Sequence, residues 1–195
     1  MIMKRVFAIL IFMFLAFPVA NSQFTRLGVG TGFTTGFKFH QQDLESNESS
    51  NLDFFAKAIY ELNLPIHISP SITWFVPNIL KVKIPDETEK TVVSALMFDI
   101  NGHYMFKSLD RLDFYGLTGL DITFAKKKYV SDSDGEKYKI IQNDNTIGLN
   151  LGLGTYIKLA EQIDLCIEAK YLVSKYDQFM LNIGALLNFR QIKKD

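Results

Sequence analysis

A two-residue hydrophobic period runs through most of this chain, and no other feature limits its fold so tightly. Successive side chains of a strand point to opposite faces, so this period marks a sheet with one apolar and one polar face. Between Thr146 and Leu159, one face carries Ile147, Leu149, Leu151, Leu153, Ile157 and Leu159. Gly148, Asn150, Gly152, Gly154 and Lys158 fall on the other. Phe179, Leu181, Ile183, Ala185, Leu187 and Phe189 oppose Asn182, Gly184, Asn188 and Arg190 in the same way. Near the start, Leu27, Val29, Phe33, Phe37 and Phe39 oppose Arg26, Gly28, Gly30, Gly32, Gly36 and Lys38. A helix, with its 3.6-residue period, would scatter both sets around its axis.

Turn signals between these runs predict eight strands, at about 24–39, 52–63, 67–76, 91–106, 111–125, 146–159, 163–174 and 177–190. The second also fits a helical stripe of Phe54, Phe55, Ala58, Ile59 and Leu62. Polar loops follow strands one, three and five, over 40–51, 77–90 and 126–145. Short links around Leu64-Pro65-Ile66, Lys107 to Asp110 and Ala160-Glu161-Gln162 follow strands two, four and six. Only the last link, near Lys175-Tyr176, is short where a long one is expected. Long loops at one end and tight turns at the other are the pattern of a transmembrane β-barrel.

The segment ahead of the first strand is of another kind. Lys4 and Arg5 precede an uncharged run from Val6 to Ala20, broken by Pro18 and followed by the small-residue site Ala20-Asn21-Ser22. This is the layout of a secretory signal peptide over 1–22, leaving 23–195 as one barrel domain. The run is shorter than the ~20 residues that a spanning helix needs.

Alternation alone does not say which face meets lipid. A soluble barrel turns its apolar face inward and a membrane barrel turns it outward. Here the apolar face is bulky and nearly free of charge, with Tyr60, Trp74, Tyr104 and Tyr171 among its Leu, Ile, Val and Phe. The polar face is rich in glycine, which suits a narrow lumen. The strands reach the ~10 residues of a tilted crossing. Aromatics gather near strand ends, at Tyr104, Phe106, Phe124 and Phe189, as interfacial girdles do. The expected fold is therefore all-β: an eight-stranded antiparallel up-and-down transmembrane β-barrel, exported to the outer membrane. A secreted lipocalin-like carrier of an apolar ligand is the alternative, and it requires the faces to be inverted.

The segments AIYELNLPIHISPSITWFVP (58–77) and LDFYGLTGLDITFA (112–125), with the leader ending in Asn-Ser-Gln, resemble the small outer-membrane β-barrel domain family of Gram-negative bacteria. That family is related in architecture to the OmpA and OmpX barrels and includes PorT-like members. The resemblance covers the whole mature chain and implies no catalytic residues. It implies passage through periplasmic chaperones and the barrel-insertion machinery. The chain departs from barrels that end on an aromatic, because Gln191 to Asp195 follow Phe189.

The predicted lumen charges are Lys57, Glu61, Asp99, His103, Asp121, Glu168 and Lys170. Eight strands enclose room for side chains only, and buried charges must be paired, so these residues are expected to form a structural salt-bridge network that plugs the barrel. No catalytic, cofactor or metal site is expected. Gly28-x-Gly30-x-Gly32 lacks the helix a phosphate loop needs. Asp132 to Glu136 lacks the ligand series of a calcium loop. With one Cys and three His, a four-ligand Cys/His zinc centre cannot form. His40, His67 and His103 have no serine tied to them by a motif, and Cys166 falls on the lumen face. Basic and acidic residues balance at 21 each, so nothing points to nucleic acid. The expected role is non-enzymatic: a structural or surface protein, or a small accessory subunit contacting other outer-membrane proteins and lipid. A PorT-like export helper is the rival within that class.

Overall fold

The structure, a computed structural model, describes residues 24–35, 51–62, 65–84, 87–133 and 136–189. The leader, residues 40–50 of the first expected loop with His40, and the aromatics Phe37 and Phe39 lie outside the described residues. Eight strands follow in order: β1 (Phe24–Thr34), β2 (Asn51–Glu61), β3 (Ile66–Ile84), β4 (Glu87–Ser108), β5 (Leu112–Ser133), β6 (Glu136–Lys158), β7 (Ile163–Val173) and β8 (Gln178–Asn188). Each pairs antiparallel with its sequence neighbour, and β1 pairs with β8 to close the barrel. Residues 51–61, which also fit a helical stripe, are a strand. Their alternation prevails because the barrel gives each face a different surrounding.

The apolar face points outward. Val29, Ile100, Ile147 and Leu153 are each more than 60% exposed, while Asn150, Asp53 and His103 on the opposite face are fully buried. An outward surface so rich in Leu, Ile and Phe needs hydrocarbon around it, which is the membrane arrangement and not the inverted carrier one. Outward aromatics pair near both ends of the wall. Phe54 stacks on Trp74 and Phe98 meets Phe124 edge-on at one end, while Phe106 stacks on Phe114 and Phe24 meets Tyr60 edge-on at the other.

Residues 77–90 and 126–145, expected as polar loops, are instead hairpin arms. β3 pairs with β4 up to Ile84↔Glu87, and β5 pairs with β6 up to Ser133↔Glu136. Beyond the bilayer both faces of a sheet are wet, so the arms need no apolar face and their strands read as polar. The dipeptide Asp134-Gly135 between Ser133 and Glu136 is a strong two-residue hairpin signal. The arms are also held by Tyr129, whose hydroxyl donates to Glu89 at 2.5 Å. β3 has a bulge between Phe75 and Asn78. Pro77, which has no N–H to give to a ladder, sits in that bulge.

Candidate functional site

The inward side chains fill the barrel in layers. At the end carrying the short turns, Arg26 of β1 reaches Glu61 of β2 at 3.1 Å and Asp164 of β7 at 3.0 Å. Its guanidinium lies 4.8 Å above the ring centre of Tyr156, in cation–π geometry. The next layer is aromatic. Tyr115 is stacked between His103 and Tyr156, with 4.5 Å between ring centres on each side. His103 Nδ1 and the Tyr156 hydroxyl share a hydrogen bond of 2.6 Å.

Two ion pairs occupy the middle. Lys57 Nζ lies 2.5 Å from Glu168 Oε2, and the Tyr115 hydroxyl donates to Glu168 Oε1 at 2.8 Å. His103 Nε2 is 3.8 Å from the same carboxylate, and Cys166 Sγ is 3.4 Å from the Tyr115 hydroxyl. Lys170 Nζ meets Asp99 Oδ2 at 2.9 Å, while Ser71 and Asn101 both donate to Asp99 Oδ1. Asn150 then donates to Asn101 Oδ1 at 3.0 Å. Asp121, also buried, accepts from Thr123 at 3.1 Å. Both oxygens of Glu168 and both of Asp99 accept a bond, which offsets part of the cost of burying these charges, whereas Asp121 Oδ2 is buried with no hydrogen-bond partner.

Glycines make the room for this filling. A Cβ on Gly154 would lie 2.4 Å from Cζ of Tyr115, and one on Gly30 would lie 2.4 Å from Cζ of Phe55. The large inward rings of one strand thus occupy the space where the facing strand has no side chain.

Above the ion pairs is an apolar plug of Phe75, Ala95, Met97, Ala125, Leu172, Tyr176 and Met180. Tyr176 comes from the short β7–β8 turn and is buried in the mouth. Its hydroxyl and Lys175 Nζ both bond Asp144 Oδ2 on the projecting part of β6. Those bonds, Lys175 first, hold the Asp144 carboxyl below its ordinary value of 3.8, whereas burial and then the Asp144 bond push the Tyr176 phenol up. A depressed carboxyl contributes stability above its unfolded value and loses it as pH falls through the folded one. The hydrogen-exchange protection factors of 174–178 should therefore be high at neutral pH and fall only on acidification below about 3.8. In Asp144→Asn they should be low throughout; protection unchanged by either would show that this contact does not hold the turn.

All seven residues expected in the lumen are on its inner face. The structure joins Lys57, His103 and Glu168 in one cluster and Asp99 with Lys170 in another. It ties Glu61 to Arg26. Sequence reasoning left Arg26, Tyr115 and Tyr156 out of the network. The parity that puts Asp121 inside also puts Tyr115 there, and Tyr156 shares the parity of Asn150. Among the described residues no group of three or more His, Cys, Asp or Glu is arranged to hold a metal ion.

Comparisons with known proteins agree with this architecture. Solved structures superpose at low sequence identity. The attachment invasion locus protein Ail of Yersinia pestis gives a TM-score of 0.50 at 14% identity, covering 84% of this chain and 97% of that one. The N-terminal β-barrel domain of Pseudomonas aeruginosa OprF gives 0.51 at 12%, covering 85% and 98%. A major outer membrane protein of Thermus thermophilus gives 0.53 at 11%, covering 84% and 99%. These likenesses concern the fold alone. No curated protein sequence matches the chain. The family model described as outer membrane protein beta-barrel domain matches residues 6–192. With nearly the whole chain matched, the protein belongs to the outer membrane protein beta-barrel domain family and resides in the outer membrane.

Proposed function

We propose that the protein is a non-conducting, non-catalytic barrel whose projecting sheet holds another outer-membrane protein, making it a small accessory subunit of a larger assembly. The observation that carries this reading is strand length. β3 to β6 run for 19 to 23 residues, about twice the ~10 that cross a bilayer. The excess forms a four-stranded sheet beyond the wall. Among the described residues, 79–84 of β3 are in ladder register with β4 alone, and 136–148 of β6 with β5 alone. Ladder edges outside the membrane that no described strand covers are templates for pairing with a second chain, and isolated proteins avoid leaving such edges long and uncovered.

The filled lumen supports the absence of conduction, and the burial of His103 and Cys166 supports the absence of nucleophilic chemistry. Planar bilayers containing the purified barrel should show no stable conductance steps; large steps would contradict the filled lumen. The docking role is tested by replacing residues 79–92 and 128–141 each with Asn-Gly, a turn that lets the shortened arms close. This variant should still show heat-modifiable migration, as an inserted barrel does. It should lose a defined outer-membrane protein that the full-length chain retains in detergent pull-down. Equal retention by both forms, or retention by neither, would overturn the reading.

A further inference from the structure

The projecting sheet has two faces of different chemistry, and the outward one is cationic. Along β5 the outward column runs Leu120, Ile122, Phe124, Lys126, Lys128, Val130. It changes from apolar to basic in one step, with no neutral stretch between. Along β3 the bulge between Phe75 and Asn78 shifts the phase, so the outward column continues from Trp74 to Ile79 and Lys81. Lys90 of β4 and Lys139 of β6 join the same face, because Lys90 pairs with Lys81 and with Val130, and Val130 pairs with Lys139.

Five lysines thus share one face with Ile79, Val92, Val130 and Ile141. No carboxylate lies on that face among the residues whose side chains are described; Glu89 and Asp144 are on the inner face, with Tyr129 and Tyr176. Lys81 and Lys90 are direct cross-strand partners. Like charges set opposite one another destabilise a sheet unless a counter-charge sits between them. The face begins where the hydrocarbon-facing wall ends, at the aromatics Phe98 and Phe124. Lysine stems can lie along the intervening Val and Ile while their ammonium groups reach back toward a polar layer.

We propose that this face, through Lys81, Lys90, Lys126, Lys128 and Lys139, binds the phosphate groups of anionic lipid headgroups in the outer leaflet, the side on which barrels of this kind carry their long connections. The lysines climb away from the wall, so a headgroup carrying phosphates at more than one position fits them best. A lysine near an anionic membrane surface gains about 1 kcal/mol, or roughly five-fold in occupancy. The inference does not rest on the docking role above, because it uses the outward face and not the strand edges.

The test uses the full-length barrel in phosphatidylcholine nanodiscs with and without diphosphoryl lipid A, and follows acetylation of each lysine by a water-soluble reagent. Lys126 and Lys128 should react several-fold more slowly when lipid A is present, with Lys81 and Lys90 following, and high salt should weaken the protection. Lys107 and Lys158, exposed at the opposite end of the barrel, meet the same lipid in the other leaflet and serve as internal controls. Unchanged rates, or equal slowing at Lys107 and Lys158, would overturn the proposal. Protection by soluble polyglutamate but not by lipid A would place an acidic protein on this face and would overturn it as well.

Discussion

Leu153→Arg should prevent most of the purified chain from reaching the heat-modifiable, folded form in lipid vesicles. Leu153 is 63% exposed and lies at the middle of the segment of β6 that pairs with both neighbours, opposite Gly116 and Ala169. An arginine at the midplane of a barrel wall costs roughly 2–4 kcal/mol, and one near the interface costs about 0–1. Total stabilities are typically only about 5–15 kcal/mol, so the first value is a large share. Leu159→Arg, at the short-turn end, should therefore insert nearly as well as the parent chain. Denaturant titration in vesicles, followed through the single tryptophan Trp74, reads both effects. Equal tolerance at the two positions would mean that no hydrocarbon surrounds Leu153.

The second large effect concerns the centre of the lumen. Lys57→Met removes the cation that lies 2.5 Å from Glu168 and leaves a fully enclosed carboxylate with the Tyr115 hydroxyl as its nearest donor. Breaking one partner of a buried pair costs about 3–5 kcal/mol, whereas replacing both by apolar groups of similar volume is often neutral. The double variant Lys57→Met with Glu168→Leu should accordingly recover most of the stability lost by the single one. If the double variant is as unstable as Lys57→Met, the pair is not what holds the middle layer together.

The wall and the lumen were legible in the sequence because the bilayer imposes opposite demands on adjacent residues. Wherever hydrocarbon lies on one side, as along 147–153, alternation is strict and parity assigns each residue to a face. Parity also sorts Lys57, Asp99, Glu168 and Lys170 to the inside, since they alternate with apolar neighbours. What it could not convey is who pairs with whom. That Lys57 of β2 meets Glu168 of β7 and not Glu61 of its own strand depends on which strands face one another across the closed ring.

The projecting arms were not legible for the converse reason. Past Phe124 water bathes both sides, so Lys126 to Asn145 shows no clean period and reads as a loop although its backbone is a continuous ladder. The bulge in β3 hides a second fact. Counting by twos from Trp74 would send Lys81 to the inner face, whereas the extra residue turns it outward. A phase break of one residue leaves no mark in composition, and Pro77 is its only local hint.

The lumen also constrains the order in which this molecule can be made. Its partners are remote in the chain: Lys57 and Glu168 are 111 residues apart, Asp99 and Lys170 are 71, and Thr34 and Gln178 are 144. Contacts between such distant residues form slowly, because the intervening chain must first be gathered. Until β7 and β8 arrive, Lys57 and Asp99 have lost neither their charge nor their need for water, and a half-built wall cannot settle in hydrocarbon. Neutralisation of the interior and closure of the seam between β1 and β8 therefore happen together. A chain interrupted before β7 would carry its own reason for remaining outside the bilayer.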